Sequence, residues 1–336
     1  MNAGKNLTGE VVVVTGASAG VGRAVARAFA SAGADIALLA RGTEGLEDAR
    51  AEVVQLGRRA IALAVDVGDA VQVEEAAARI EAELGPVAVW VNNAMVSVFS
   101  PLKEITAEEF NRVTAVTYLG QVYGTMAALK RMLPRNSGVI VLVGSALAYR
   151  GIPLQSAYCG AKHGIEGFFD SLRCELIHDK SRVRAVMVQL PAMNTPQFGW
   201  VKTRLPRLPK PMGKIYQPEI AARAIVYAAL HKRRSVWVGA PTFASIIGNR
   251  IAPGFLDRVL ARSGYDGQQT AEPAGRDRKE RTNLWTPLPG DEGAHGTFGR
   301  EAAGRSPLLW VSMHRNKIDW AICLTVIIVL IFIFIY

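Results

Sequence analysis

Between Glu10 and Gly239, seven short apolar runs alternate with helix-like segments, and that alternation leaves the chain few possible architectures. The runs are EVVVVT (10–15), ADIALLA (34–40), RAIALAV (59–65), PVAVWV (86–91), GVIVLVG (138–144), VRAVMVQ (183–189) and SVWVG (235–239). Each is nearly continuous in apolar residues rather than alternating. That pattern suits strands buried on both faces, as in parallel sheets covered by helices on either side. Helix-like segments near 21–32, 44–56, 70–84, 106–132, 156–178 and 218–231 lie between or beside the runs. The repeated β–α order predicts an α/β domain with a doubly wound parallel seven-stranded sheet.

Beyond Gly239 the pattern changes. Residues 244–262 place Ile247, Ile251, Phe255 and Val259 four apart, a helical stripe interrupted by Pro253. It could pack on the main domain or, with Arg250, Arg258 and Arg262, lie on a membrane surface. Residues 263–307 are rich in Gly, Pro and charge with no clear period, which reads as an irregular extension or linker. The expected division is therefore a main domain at 1–240, an extension and linker at 241–317, and an apolar tail at 318–336.

The formal charge of +10 admits nucleic acid, an anionic surface or a phosphorylated ligand. No zinc-ligand spacing or DNA-reading helix stands out, so neither a metal nor nucleic acid is expected. Cys159, Cys174 and Cys323 are odd in number and far apart, which argues against a disulfide framework and suits a reducing compartment. The N-terminus, MNAGKNLTGE, has no apolar signal-peptide core.

The first strand runs into Thr15-Gly-Ala-Ser-Ala-Gly-Val-Gly22 and then a helix. Gly16, Gly20 and Gly22 permit a tight turn and close backbone approach, and the helix N-terminus aims its amides at a pyrophosphate. Ser18, Ala19 and Val21 complete the expected cradle. The second strand ends in Ala40-Arg41, where an acidic residue would bind the adenosine 2′-hydroxyl of NAD. Arg41 offers donors to a 2′-phosphate instead, a sign of NADP, although NAD is not excluded and a surface arginine capping a strand is the alternative.

Tyr158 and Lys162 stand four apart on one helical face, thirteen residues after Ser145. With TGASAGVG, Asp66, NNA at 92–94 and YCGAK in this order and spacing, residues 8–239 resemble the short-chain dehydrogenase/reductase family and its Rossmann-type fold. The resemblance implies that Tyr158 exchanges a proton with an alcohol or carbonyl oxygen. It implies that Lys162 binds the nicotinamide ribose and lowers the tyrosine pKa, and that Ser145 hydrogen-bonds the substrate oxygen. Asp66 and Val67 would contact adenine, while Asn92, Asn93 and Ala94 would follow the cofactor and tie the sheet together. Pro191 and Thr195 would cover the cofactor. Contacts through the fourth and fifth helices of a homo-oligomer are implied as well.

The sequence departs from the family pattern in three places. Met95 replaces a glycine at the cofactor edge, and Ala192 replaces one after the sixth strand. Thr117 stands where the family carries a proton-relay asparagine, which predicts a working but retuned relay. Tyr118 beside it reads as helix packing. The loop 197–217, with Trp200, several prolines and five basic residues, lies where the family places its variable substrate loop. Its aromatic and apolar content suggests a lipophilic substrate; a solvated basic loop is the alternative.

The sequence closes with AICLTVIIVLIFIFIY, sixteen uncharged residues, or about 24 Å of helix. Counting from Ile318 gives nineteen and about 28 Å, close to the roughly 30 Å hydrocarbon core. His314, Arg315 and Lys317 precede the segment, and Trp320 and Tyr336 bracket it as interfacial aromatics. A single transmembrane helix is therefore expected, with the catalytic domain facing the cytoplasm. The combined expectation is a membrane-tethered, NADP-preferring oxidoreductase acting on a lipophilic alcohol or ketone. Thr117 and Met95 leave room for a second reading, an NADP(H)-binding scaffold or sensor with little catalysis.

Overall fold

The computed structural model describes residues 7–314. Seven strands make one sheet: β1 (Val11–Thr15), β2 (Asp35–Ala40), β3 (Ala60–Ala64), β4 (Val87–Asn92), β5 (Val139–Ser145), β6 (Arg184–Leu190) and β7 (Ser235–Trp237). Their order is β7-β6-β5-β4-β1-β2-β3, and every neighbouring pair is parallel. Helices α1 (Gly20–Ser31), α2 (Thr43–Gln55), α3 (Ala70–Glu83), α4 (Ala107–Thr114), α5 (Gly120–Arg135), α6 (Ser156–His178) and α7 (Pro218–Leu230) cover its two faces.

The continuous apolar runs have a direct cause in β1. Val12 and Val14 enter the core formed with α1, α2 and α7, whereas Val11 and Val13 enter the opposite core with α3, α5 and α6. Because successive side chains point to opposite faces, a strand with two covered faces has no position left for a polar residue. Each fully buried valine contributes about 1.5 kcal/mol or more relative to exposure.

The single helix expected over 106–132 is divided. A capping box between Thr106 and Glu109 starts α4, and a π-helical turn, Ala115–Leu119, separates it from α5. Such a turn inserts a residue into the helical ladder, and π-bulges occur often at functional sites. Gly120 follows it because the helix presses on the loop after β3, where a Cβ would lie 2.7 Å from Val67 Cγ2.

After β7 come α8 (Gly239–Ile251) and α9 (Pro253–Ser263). The break falls at Pro253, which cannot donate to the ladder of α8 but fits the first turn of α9. The linker reading of 263–307 does not hold. Gln269–Pro273 pairs antiparallel with Arg207–Pro209, pinning the loop that follows β6. Leu284 is fully buried in the α3/α5/α6 core, while Ala294 and Leu309 are buried in the other. Isolated apolar residues anchor this stretch, which is why it carries no periodic signal. No helix among the described residues is long and apolar enough to cross a membrane. The segment 318–336, expected to do so, lies outside the described residues.

Candidate active site

The connections on either side of β1 leave in opposite directions, so a crevice opens at the carboxyl ends of β1 and β4. The turn after β1 forms its floor. Gly16 and Gly20 have φ of +67° and +58°, the left-handed region that glycine adopts without strain. A Cβ on Gly22 would lie 2.1 Å from Gly16 O, and one on Gly16 would lie 2.8 Å from Ala94 Cα. Thr15 Oγ1 accepts from the backbone N–H groups of Asn93 and Ala94, and Asn93 Nδ2 donates to Thr15 O at 2.9 Å. These bonds lock the turn to the end of β4. No side chain caps the N-terminus of α1, so its amides face the cleft.

That cleft, about 200 Å³, is lined by Gly16, Ser18, Ala19, Gly20 and Val21, together with Arg41, Asp66, Val67, Asn93, Ala94 and Thr195. A floor of backbone donors kept clear of side chains fits the pyrophosphate of a dinucleotide. Gly22, Asn92 and Pro191 lie elsewhere, as do Tyr158 and Lys162, which line a second cavity. Gly22 shapes the turn from behind. Asn92 is fully buried, accepting from Trp90 Nε1 and donating to Thr125 Oγ1, and so ties β4 to α5. Pro191 lines the same second cavity.

Arg41 lines the cleft, but its guanidinium is engaged by the C-terminal extension. Nη1 donates to the carbonyls of Leu284 and Trp285, and Nη2 donates to that of Asn283. Arg112 Nε donates to the same Leu284 O at 3.0 Å, while its Nη2 pairs with Asp66 at 2.5 Å. Burial pushes the Arg41 pKa down, Arg112 adds to the effect and Asp66 opposes it. Pro287, Leu288, Gly290 and Glu292 roof the cleft. Nothing in the sequence signalled Arg112 or this roof, because both depend on a contact between segments more than 170 residues apart.

The second cavity, about 420 Å³, meets the cleft at Val21, Met95, Thr195 and Gln197. Ser145 at the end of β5 and Tyr158 and Lys162 on α6 reach into it. Ser145 Oγ accepts from Leu147 N at 3.1 Å, which fixes the hydroxyl at the strand end. Lys162 is 2% exposed; its Nζ donates to Val143 O at 2.7 Å and lies 5.6 Å from the Tyr158 ring centroid. Burial holds the Lys162 ammonium at a pKa of about 7. Burial also pushes the Tyr158 phenol well above its ordinary value, against the pull of the Ser145 hydroxyl. Burial of the two groups opposes the lowering of the tyrosine pKa that the resemblance implies. Desolvation disfavours both charges.

Phe99, Ile152, Phe198, Met212, Leu256 and Leu260 supply much of the remaining wall. Two of these, Leu256 and Leu260, come from α9, and Val259 of the stripe noted in the sequence joins them. Ile251 and Phe255, 77% and 63% exposed, face outward.

Thr117 does not join the catalytic group. It is fully buried in the π-turn, donates to Val96 O at 2.8 Å, accepts from Val96 N at 3.1 Å, and lines neither cavity. Its hydroxyl holds the chain beyond β4 in place, and the proton-relay role expected for that side chain is corrected accordingly. Met95 lies where the two cavities meet.

Residues 10–204 match the family model for short chain dehydrogenases. An uncharacterised oxidoreductase of Bacillus subtilis, YxnA, is 33% identical over 272 residues, covering 80% of this chain and 76% of the relative. Human estradiol 17-beta-dehydrogenase 11 is 28% identical over 258 residues, covering 77% and 84%. The crystal structure of a metagenomic short-chain oxidoreductase in complex with NADP superposes with a TM-score of 0.60 at 27% identity, covering 70% of this chain and 98% of that one. The chain belongs to the short-chain dehydrogenase/reductase family and is an oxidoreductase.

Proposed function

We propose that this protein is an NADP-preferring reductase of lipophilic ketones, with Tyr158 as the general acid. The convergence of Ser145, Tyr158 and Lys162 on a largely apolar cavity that opens into the cleft carries this reading. NADPH, when bound, supplies the hydride that the substrate carbonyl carbon accepts. Ser145 donates a hydrogen bond to the carbonyl oxygen and orients it. Tyr158 transfers its phenolic proton to that oxygen as the carbon takes the hydride, so the product is the alcohol. Solvent then restores the proton to the phenolate beside Lys162. Burial pushes the Tyr158 phenol above its ordinary value, so the group stands protonated as the donor that the reduction needs.

Arg41 supports the cofactor preference, because it follows β2 where its guanidinium can pair a 2′-phosphate, and the nearby Asp66 carboxylate is held by Arg112. NADP in the metagenomic relative agrees with it. The apolar wall supports the substrate class, and estradiol in the name of a relative agrees with that. Oxidation of NADPH by a panel of lipophilic ketones, compared with short polar ones, tests the reading. Consumption that persists unchanged in Tyr158→Phe would refute it. The assembled catalytic group counts against a scaffold or sensor with little turnover.

We also propose that residues 318–336 tether the protein to a membrane with the catalytic domain on the cytoplasmic side. Support comes from the apolar sequence and its basic flank, and from Ile251 and Phe255 exposed near the substrate cavity. Removal of 318–336 should release the protein from membranes while sparing turnover; misfolding of the truncated chain would assign the tail to the core. A homo-oligomer through α5 and α6 is proposed on the exposure of Met126, Leu133 and Ile177. Light scattering at several concentrations decides it.

A further inference from the structure

We infer that residues 283–293 act as an internal competitor for the cofactor, occupying donors that the phosphates of NADPH would use. The inference rests on the NADP reading of the same cleft. At the adenosine end, Arg41 donates to three strap carbonyls, and Arg112 shares one of them, Leu284 O. Two guanidinium groups thus converge on one neutral oxygen, with Asp66 the carboxylate paired to Arg112. An anionic phosphate oxygen is a stronger partner for such a fork than a carbonyl dipole. At the pyrophosphate end, Gly293 O accepts from Gly20 N at 2.9 Å, the first amide of α1. An anion bound at that helix N-terminus would use the same donor.

One segment of eleven residues, 283–293, therefore touches both phosphate-binding ends of the cleft and roofs the space between them. Buried Leu284 and Ala294 pin its ends, which leaves the arc 285–293 to lift. Side-chain contacts latch the arc, among them the ion pair of Glu292 with Arg281. Asp291 pairs with Arg23 at 2.9 Å, and Gly290 N donates to the Glu44 carboxylate. Arg23 is 2% exposed and also binds Glu52 and the carbonyls of Ser18 and Gly45. Loss of Asp291 therefore loosens the arc without leaving a buried guanidinium unpaired.

A closed strap lowers apparent cofactor affinity by the fraction of molecules that are open. Titration of NADPH and NADH by fluorescence, with stopped-flow association rates, should show Asp291→Asn and Glu44→Gln binding NADPH about tenfold more tightly and faster. NADH, which does not need Arg41, should gain less. In the unaltered full chain, hydrogen exchange across 285–293 should speed up when NADPH binds. Unchanged affinity and rate in both variants, or slower exchange over the arc with NADPH, would overturn the inference while leaving the cofactor reading intact. Failure of every variant to bind NADPH would remove the cofactor reading and the inference with it.

Discussion

Ser145, Tyr158 and Lys162 come from two successive elements, β5 and α6, and span eighteen residues of chain, whereas the roof of the nucleotide cleft arrives from residues 283–293. The first region lines a largely apolar cavity and is held by buried contacts. The second is polar and is held by ion pairs and by carbonyls bonded to arginines. Substitutions in the first should therefore alter chemistry, and substitutions in the second should alter which cofactor binds and how readily.

The sharpest test of that contrast is Tyr158→Phe, which removes the acid but keeps the ring. Single-turnover hydride transfer should fall about a thousandfold while NADPH affinity holds. A parallel loss of affinity would mean that the two regions are not separable. Arg41→Ala should reduce the preference for NADPH over NADH about ten- to a hundredfold, because charge-assisted hydrogen bonds are worth roughly 1.5–3 kcal/mol. Direct titration of both cofactors measures it, and turnover at saturating NADPH should change little.

Thr117→Val keeps the volume but leaves the Val96 N–H and carbonyl unpaired. A loss of about 1–3 kcal/mol in denaturant unfolding is expected, with the pH profile of turnover unmoved. A shifted profile would restore the relay role to its hydroxyl. A further test concerns Lys162, whose pKa falls from 10.5 to about 7 in the folded chain. Between those pH values the unfolded chain holds a proton that the native chain lacks. Stability should therefore rise with pH across that window, with a slope of at most about 1.4 kcal/mol per unit from this group. Lys162→Met should abolish that component of the slope, read from denaturant midpoints at several pH values.

The seven strands and the glycine turn were legible because each follows from short-range pattern, and the Ser145–Tyr158–Lys162 group through the family resemblance that its spacing helped to carry. A continuous apolar run reports two covered faces, and a spacing of four places Tyr158 and Lys162 on one side of α6. Asn92 and Thr117 show what such pattern leaves out. Their positions along the chain are those of cofactor and relay residues, but their side chains bond to Thr125 and Val96, contacts made only when the helices dock. The π-turn at Ala115–Leu119 left no compositional trace either.

Local sequence thus determined the sheet, the cradle and the chemical groups, because backbone geometry and covered faces impose periods of two and 3.6 that a chain cannot hide. Tertiary structure alone decided the ionisation of those groups and the partners of Arg41. Burial sets the pKa values of Tyr158 and Lys162, and burial belongs to the whole packed domain. The roof over the cleft depends on an aperiodic segment held by Leu284, Asp291 and Ala294, three residues whose neighbours lie far away in sequence.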